Sequence, residues 1–346
     1  MITVVAGTTG ELIKLAPLLA RLDGDYRLAT TAQQTTQIEP LLAEFGLRPP
    51  DVWLARGARG RDLDAVGDVP AWLASVARGF VRHRSLLATG NCVVVHGDTM
   101  TTALGAVMGR VVHRPVAHVE AGLRSGDLRH PLPEEAIRRV TSRLAAVHYA
   151  PGARAARVVE GHGDVVDTHA NTLADALALV PPGDPPLALG GGPFGVVSLH
   201  RFELLRDREL FAATLETLRA SEHELVFVDH PVTAAALRRY GLDAPGRVPR
   251  LGFFDWIRLL RRAAFVVSDS GGAQEETYYL DLPCLVHRRR TERVEGLGET
   301  AVLSELRLDA LAAFLADPGR HRRHTPPPEG SPTALVVDDL RRRGFV

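Results

Sequence analysis

Residues 265–280 read FVVSDSGGAQEETYYL: a short apolar run, a polar turn holding Gly271 and Gly272, and then a helical stretch. A strand that enters a helix through a glycine turn is half of a βαβ unit, and strands buried on both faces of a parallel sheet read as continuous Val and Ile. The same grammar recurs on either side. Upstream it appears as ITVVAG (2–7), YRLATTA (26–32), CVVVHGD (92–98), PVAHVEAG (115–122) and VHYAP (147–151). In the second half it appears as FGVVSLH (194–200), ELVFVDH (224–230), RVPRLGF (247–253) and PCLVHR (283–288). Strands alternating with helices predict an α/β protein with doubly wound parallel sheets.

Between the two sets lies VPPGDPPLALGGGPF (180–194), dense in Pro and Gly and without helical or strand period, which reads as a linker. A chain of 346 residues exceeds one ordinary core, so two similar α/β halves with a crevice between them are expected. The expected boundaries are 1–172 for the first domain and 173–332 for the second. A last segment, 333–346, is expected as a helix docked on its neighbour or crossing back to the first domain.

The charge count narrows the function. There are 41 basic and 41 acidic side chains, and among the bases Lys14 is the single lysine. Zero net charge argues against a nucleic-acid partner or an anionic membrane surface held by a long-range field, so an anionic ligand must meet a local cluster. Cys92 and Cys284 stand far apart in apolar runs, which favours buried packing and gives no support to a disulfide or a cysteine zinc site. No basic leader precedes a long apolar stretch, and no run reaches transmembrane length, so a cytoplasmic protein without membrane contact is expected.

Ligands of open parallel sheets collect beyond the carboxyl ends of the strands. The residues there are Gly7-Thr8-Thr9, Gly97-Asp98-Thr99, Glu120-Ala121-Gly122, Ser198 to Arg201, Asp229-His230 and Asp269 to Gly272. Gly271 and Gly272 suit close approach of a diphosphate to helix amides, although glycine in such a turn also serves packing alone. Glu275 and Glu276 read either as first-turn acids or as acceptors for ribose hydroxyls. Glu134, behind Pro133, reads as an ordinary helix opening or as a reactive carboxylate. Asp98, Glu120, Glu134 and His200 together give three carboxylates and an imidazole at strand exits or helix starts, a set able to divide into acid and base.

Seven stretches, in order, resemble the UDP-N-acetylglucosamine 2-epimerase family: GTTGELIKLAPL (7–18), VVHGDTMTTALGA (94–106), HVEAGLRSGD (118–127) with PEEAIRR (133–139), NTLADAL (171–177), LHRFE (199–203), DSGGAQEE (269–276) and TERVE (291–295). The resemblance implies two Rossmann-like domains arranged as in GT-B glycosyltransferases, with UDP held mainly by the second and a homodimeric assembly. It implies diphosphate contacts at Ser270, Gly271 and Gly272, a ribose contact at Glu276, a phosphate partner at Arg293 and substrate contacts at Lys14 and His230. Trp256 falls where the family sets an aromatic ring against uracil; a place in the core is its other reading. Asp98, Glu120, Glu134 and His200 match the ionisable catalytic positions. The implied reaction eliminates UDP to give 2-acetamidoglucal and adds it back to the C2 epimer, which requires neither a cofactor nor a metal.

Four departures stand out. The family's Gly-Thr-Arg-Pro-Glu is Gly7-Thr8-Thr9-Gly10-Glu11 here, the arginine after His200-Arg201 is Phe202, and Thr-Ala-Gln-His is Thr31-Ala32-Gln33-Gln34. The Pro-Val-His-x-Asn-Pro pattern is likewise reduced to Val228-Asp229-His230-Pro231. The resemblance implies a second, activating UDP-GlcNAc site beside the catalytic one; the departures predict that it is altered or missing here and leave room for a related UDP-sugar. A hydrolysing variant that releases N-acetylmannosamine, a glycosyltransferase and a non-catalytic nucleotide-sugar binder are the competing readings.

Overall fold

The computed structural model describes the chain apart from residues 58, 59, 61, 64, 65, 125–133 and 324–329. The last of these ranges covers most of HTPPPEGSP (324–332), a second stretch dense in Pro, and 125–133 takes in the end of HVEAGLRSGD together with Pro133. The chain divides into two compact units, Met1–Leu179 with Pro328–Val346, and Val180–Pro327.

The first unit holds a seven-stranded parallel sheet. Its strands are β1 (Ile2–Ala6), β2 (Tyr26–Thr30), β3 (Val52–Trp53), β4 (Val93–His96), β5 (Val116–Val119), β6 (Val147–Ala150) and β7 (Asp164–Asp167), in the order β3-β2-β1-β4-β5-β6-β7. Order reverses between β1 and β4, where Thr3 and Val4 pair with Val93 and Val94. The central strands are wholly buried, as their unbroken apolar runs require. The helix Met100–Val111 lies close over them: a Cβ on Gly105 would sit 2.7 Å from Val95, and one on Gly109 2.6 Å from Val116.

The helix Leu173–Leu179 belongs to this unit because it packs on the helix Thr9–Leu22, so the chain leaves the unit after Leu179 and not at 172. The helix Pro332–Arg342 packs on the same two helices. Its Asp339 accepts the Tyr149 hydroxyl at 2.9 Å and Arg343 Nε at 2.6 Å, and Arg343 also reaches Asp164 at 2.6 Å.

The second unit holds β8 (Phe194–Ser198), β9 (Glu224–Val228), β10 (Arg247–Val248), β11 (Phe265–Ser268), β12 (Cys284–Val286) and β13 (Ala301–Leu303). All are parallel, in the order β10-β9-β8-β11-β12-β13. Its core gathers Phe211, Phe227, Phe265 and Phe314 around Leu215, Leu237 and Leu285. Order reverses here between β8 and β11, so each unit has the same switch point. Cys92 and Cys284 are buried thiols, each pushed up to about 12 by burial. Among the described residues no helix is long and apolar enough to cross a membrane.

Candidate active site

The reversal of strand order opens a crevice beyond the strand ends, and in each unit that point collects the polar side chains. In the second unit, β11 ends at Asp269, wholly buried, whose carboxylate accepts the His200 amide at 2.8 Å and the Arg201 amide at 2.7 Å. Burial nevertheless pushes Asp269 up to about 6. The bond pair ties the exit of β8 to that of β11 and fixes the His200 backbone. Ser270 then caps the helix Gly271–Tyr279.

Neither Gly271 nor Gly272 has a positive φ, and a Cβ on Gly272 would meet only ordinary contacts, 3.5 Å from Ser270 Oγ. Neither backbone conformation nor packing within the described residues demands glycine at 272, and a turn without a side chain lets another group come close to its amides. Gly272→Ala is therefore expected to raise thermal stability slightly, by about 0.4–1 kcal/mol, and, on the diphosphate contact that the resemblance implies, to weaken UDP binding at least tenfold. Calorimetric titration and a melting curve on one sample check both halves.

A cavity beside this turn is lined by Ser198, His200, His230, Arg250, Trp256, Ser270 and Glu276, among others. The Trp256 indole N–H donates to Glu276 Oε2 at 2.7 Å, so the ring lines the cavity, half-buried, and is not a core residue. His200 and His230 stack at 4.8 Å between ring centroids with planes 29° apart. Each is pushed down to about 4, first by burial; Arg201, Arg250 and Arg288 act further on His200, and His200 and Arg250 on His230. Both rings are neutral at pH 7. Arg293 lies against the same helix start, its Cγ 3.4 Å from where a Gly271 Cβ would be and its Nη1 3.3 Å from the buried Glu275.

In the first unit, Glu11 joins the two loops of the switch point. Its Oε2 accepts the Gly7 and Thr8 amides at 2.8 Å each, and its Oε1 accepts Thr99 Oγ1 at 2.7 Å. Burial raises its pKa against these donors. Asp98 follows β4, and its Oδ2 accepts Arg138 Nε at 2.9 Å and Nη2 at 2.5 Å. Arg138 comes from the helix Glu134–Leu144, one turn after Glu134, and is itself buried. Glu120 follows β5 in the left-handed region, φ 62°, and is buried. Its Oε2 receives both Lys14 Nζ and Asn171 Nδ2, with His96 Nε2 at 3.7 Å.

The expected residues thus divide. Lys14, Asp98, Glu120 and Glu134 stand in the first unit; His200, His230, Trp256, Ser270, Gly271, Gly272, Glu276 and Arg293 stand in the second. Sequence reading did not single out Arg138, Asn171 or Arg250, although Arg138 lies in PEEAIRR and Asn171 opens NTLADAL; their partners appear only with the topology. It also missed Glu11, whose Thr8-x-x-Glu11 capping box was legible. Two of the departures touch each other: Thr9 N and Oγ1 both donate to Gln34 Oε1, at 2.8 and 2.7 Å. Phe202 is 57% exposed, with the Arg206 guanidinium 5.2 Å from its ring.

Burial also sets an acid limit on the fold. His118 and His287, like His200 and His230, are pushed down to about 4. Between pH 6.5 and 4 the unfolded chain binds protons at these rings that the folded chain does not, so stability falls as pH drops through that window. Asp269 and Glu11, raised by burial, act in the opposite sense and offset part of it. For a wholly buried histidine the effect is about 3 kcal/mol. Urea midpoints should be clearly lower at pH 4.5 than at 7.5; a flat profile contradicts this.

The family model for UDP-N-acetylglucosamine 2-epimerase matches residues 21–313. A probable UDP-N-acetylglucosamine 2-epimerase of Ralstonia nicotianae is 32% identical, covering 97% of each chain. The UDP-N-acetylglucosamine 2-epimerase of Bacillus subtilis is 30% identical, covering 97% of this chain and 93% of its own. Among solved structures, the UDP-GlcNAc 2-epimerase of Neisseria meningitidis bound to UDP-GlcNAc superposes with a TM-score of 0.80 at 23% identity over 99% of both chains, a likeness of fold.

Proposed function

The chain belongs to the UDP-N-acetylglucosamine 2-epimerase family, and on that membership we propose that it interconverts UDP-N-acetylglucosamine and UDP-N-acetylmannosamine. It is an isomerase with the GT-B-like fold of two doubly wound domains. The observation that carries the reading is the second-unit cavity: an aromatic ring, a carboxylate, a capped glycine turn and two histidines gathered at a switch point fit a base, a ribose and a diphosphate in sequence. Trp256 takes the uracil, Glu276 the ribose hydroxyls, and the amides after Ser270 the diphosphate, with Arg293 and His230 beside it.

The C2 proton of the sugar is unactivated, so simple removal and return is too slow. The C1–O bond to UDP breaks while a base takes the C2 proton, leaving 2-acetamidoglucal, UDP and a protonated enzyme group. Readdition of UDP at C1, with a proton delivered to the opposite face of C2, gives the epimer. Asp98, Glu120 and Glu134 supply the acid and base groups. His200, neutral and beside the diphosphate turn, donates to the leaving phosphate oxygen. Nucleotide chromatography after incubation with UDP-GlcNAc tests the reading: UDP-ManNAc as product supports it, and UDP with free ManNAc replaces it with the hydrolysing reaction. The contact between Thr9 and Gln34, both altered from the family pattern, favours a related UDP-sugar as the second reading.

The resemblance also supports a cytoplasmic homodimer. Val107 and Val111, a turn apart and exposed on the helix Met100–Val111, and the exposed Val140 on the helix it packs against, fit a surface covered by a second copy. Sedimentation velocity tests the dimer.

A further inference from the structure

We propose that Asn171 is a positioning residue for the epimerisation, holding the Glu120 carboxylate, together with Lys14, as the ionised group that accepts the C2 proton. The proposal rests on the reading of Glu120 as catalytic given above. It begins with the orientation of the amide. Asn171 is buried, and its Oδ1 accepts the Leu173 amide at 3.0 Å at the start of the helix Leu173–Leu179. With the oxygen committed to the backbone, Nδ2 has to face the other way, and there it donates to Glu120 Oε2. The orientation of the amide is thus fixed by chemistry: reversed, it would set N–H against N–H and oxygen against oxygen.

The second cation-like grip comes from Lys14 Nζ on the same oxygen. An ammonium and an amide donor on one buried carboxylate oxygen both favour the charged form. Among the described residues, His96 at the end of β4 and His118 on β5 are further titratable groups near Glu120. His118 Nε2 donates to Gly97 O, 2.7 Å away, and the ring is pushed down to about 4 by burial, so it adds no positive charge near pH 7. The backbone adds to the argument. Glu120 is one of few non-glycine residues at positive φ, a conformation that costs about 1–2 kcal/mol and persists where the surroundings over-determine it. Its side chain is aimed by that turn and then locked by groups from two other elements, one before it in the chain and one after. Lys14 accordingly serves Glu120, and the single lysine of the chain stands where a compact ammonium, and not a planar guanidinium, meets one carboxylate oxygen.

Asn171→Asp separates positioning from mere structure. The aspartate keeps an oxygen for the Leu173 amide, so the helix start and the melting temperature should be preserved to within a few degrees. It sets a second carboxylate against Glu120, which makes Glu120 harder to ionise. Turnover, followed as exchange of the C2 hydrogen between pH 5 and 9, should fall at least tenfold at pH 7, the acid limb of kcat should move up by about one pH unit or more, and KM should stay within about twofold. Asn171→Ser, which keeps a capping oxygen and lacks the amide donor, should move the acid limb in the same direction by less. An unmoved acid limb in Asn171→Asp, or in Asn171→Ser should the aspartate variant not fold, overturns the proposal. Glu120→Gln tests the underlying reading separately: if that variant exchanges normally, Glu120 is not the acceptor, whatever Asn171 does.

Discussion

Replacing Asp98 by Asn, or Glu120 by Gln, is expected to lower C2 exchange by about 10²–10⁴-fold while leaving UDP affinity within a few-fold. The expectation follows from the division of labour between the units. The cavity proposed for UDP is lined entirely by residues of the second unit, whereas both carboxylates belong to the first. Each substitution is nearly isosteric and keeps one oxygen to accept from its partner, Arg138 for Asp98 and Lys14 with Asn171 for Glu120. What is lost is the ability to take a proton. Asp98→Asn also leaves the buried Arg138 with Glu135 as the nearest counter-charge among the described residues, Nη1 to Oε2 3.5 Å, so a drop in stability of about 1–3 kcal/mol should accompany it. Exchange kinetics and calorimetric UDP titration on the same variants separate the two effects. A variant that exchanges at the wild-type rate removes that carboxylate from the mechanism.

Deleting 333–346 is expected to cost the first unit most of its stability. The helix Pro332–Arg342 buries Val336, Val337 and Leu340 almost completely. At about 1.5–3 kcal/mol for each buried aliphatic side chain, that burial alone is comparable with the net stability of an ordinary domain. The polar losses add to it. Tyr149, whose hydroxyl is raised in pKa by burial and by Asp339, would lose its acceptor, and Asp175 would lose the Thr333 amide at 2.8 Å. The Met1 ammonium also reaches Phe345 O at 3.3 Å, so both ends of the chain secure one unit. Thermal melts of the truncated chain should show a fall of more than ten degrees or the loss of a cooperative transition; an unchanged melt contradicts the account.

The fold was legible wherever a strand is buried on both faces. The central runs ITVVAG, CVVVHGD, FGVVSLH and FVVSDSG became β1, β4, β8 and β11, the four strands that flank the two switch points. The strands that sequence reading passed over, β3, β7 and β13, are all edge strands. With one neighbour each they need no continuous apolar run, and β7 is the exposed or half-buried DVVD. RVPRLGF yielded only Arg247–Val248, because Pro249 has no N–H to continue the ladder. Sequence reading named polar groups at the strand exits and did not name their partners. Lys14 and Glu120 lie on separate elements, as do Asp98 and Arg138, and only the order β1-β4-β5 brings each pair together. The pairing of Lys14 with Glu120 needed the structure.

Incubating the protein with UDP-GlcNAc in deuterated water, and following proton and phosphorus NMR together, tests the central claim most directly. Deuterium is expected at C2 of the sugar as UDP-ManNAc appears, with the diphosphate signal of the sugar nucleotide retained. UDP-ManNAc that keeps its original C2 proton, or a UDP-GlcNAc spectrum unchanged on prolonged incubation, would contradict it.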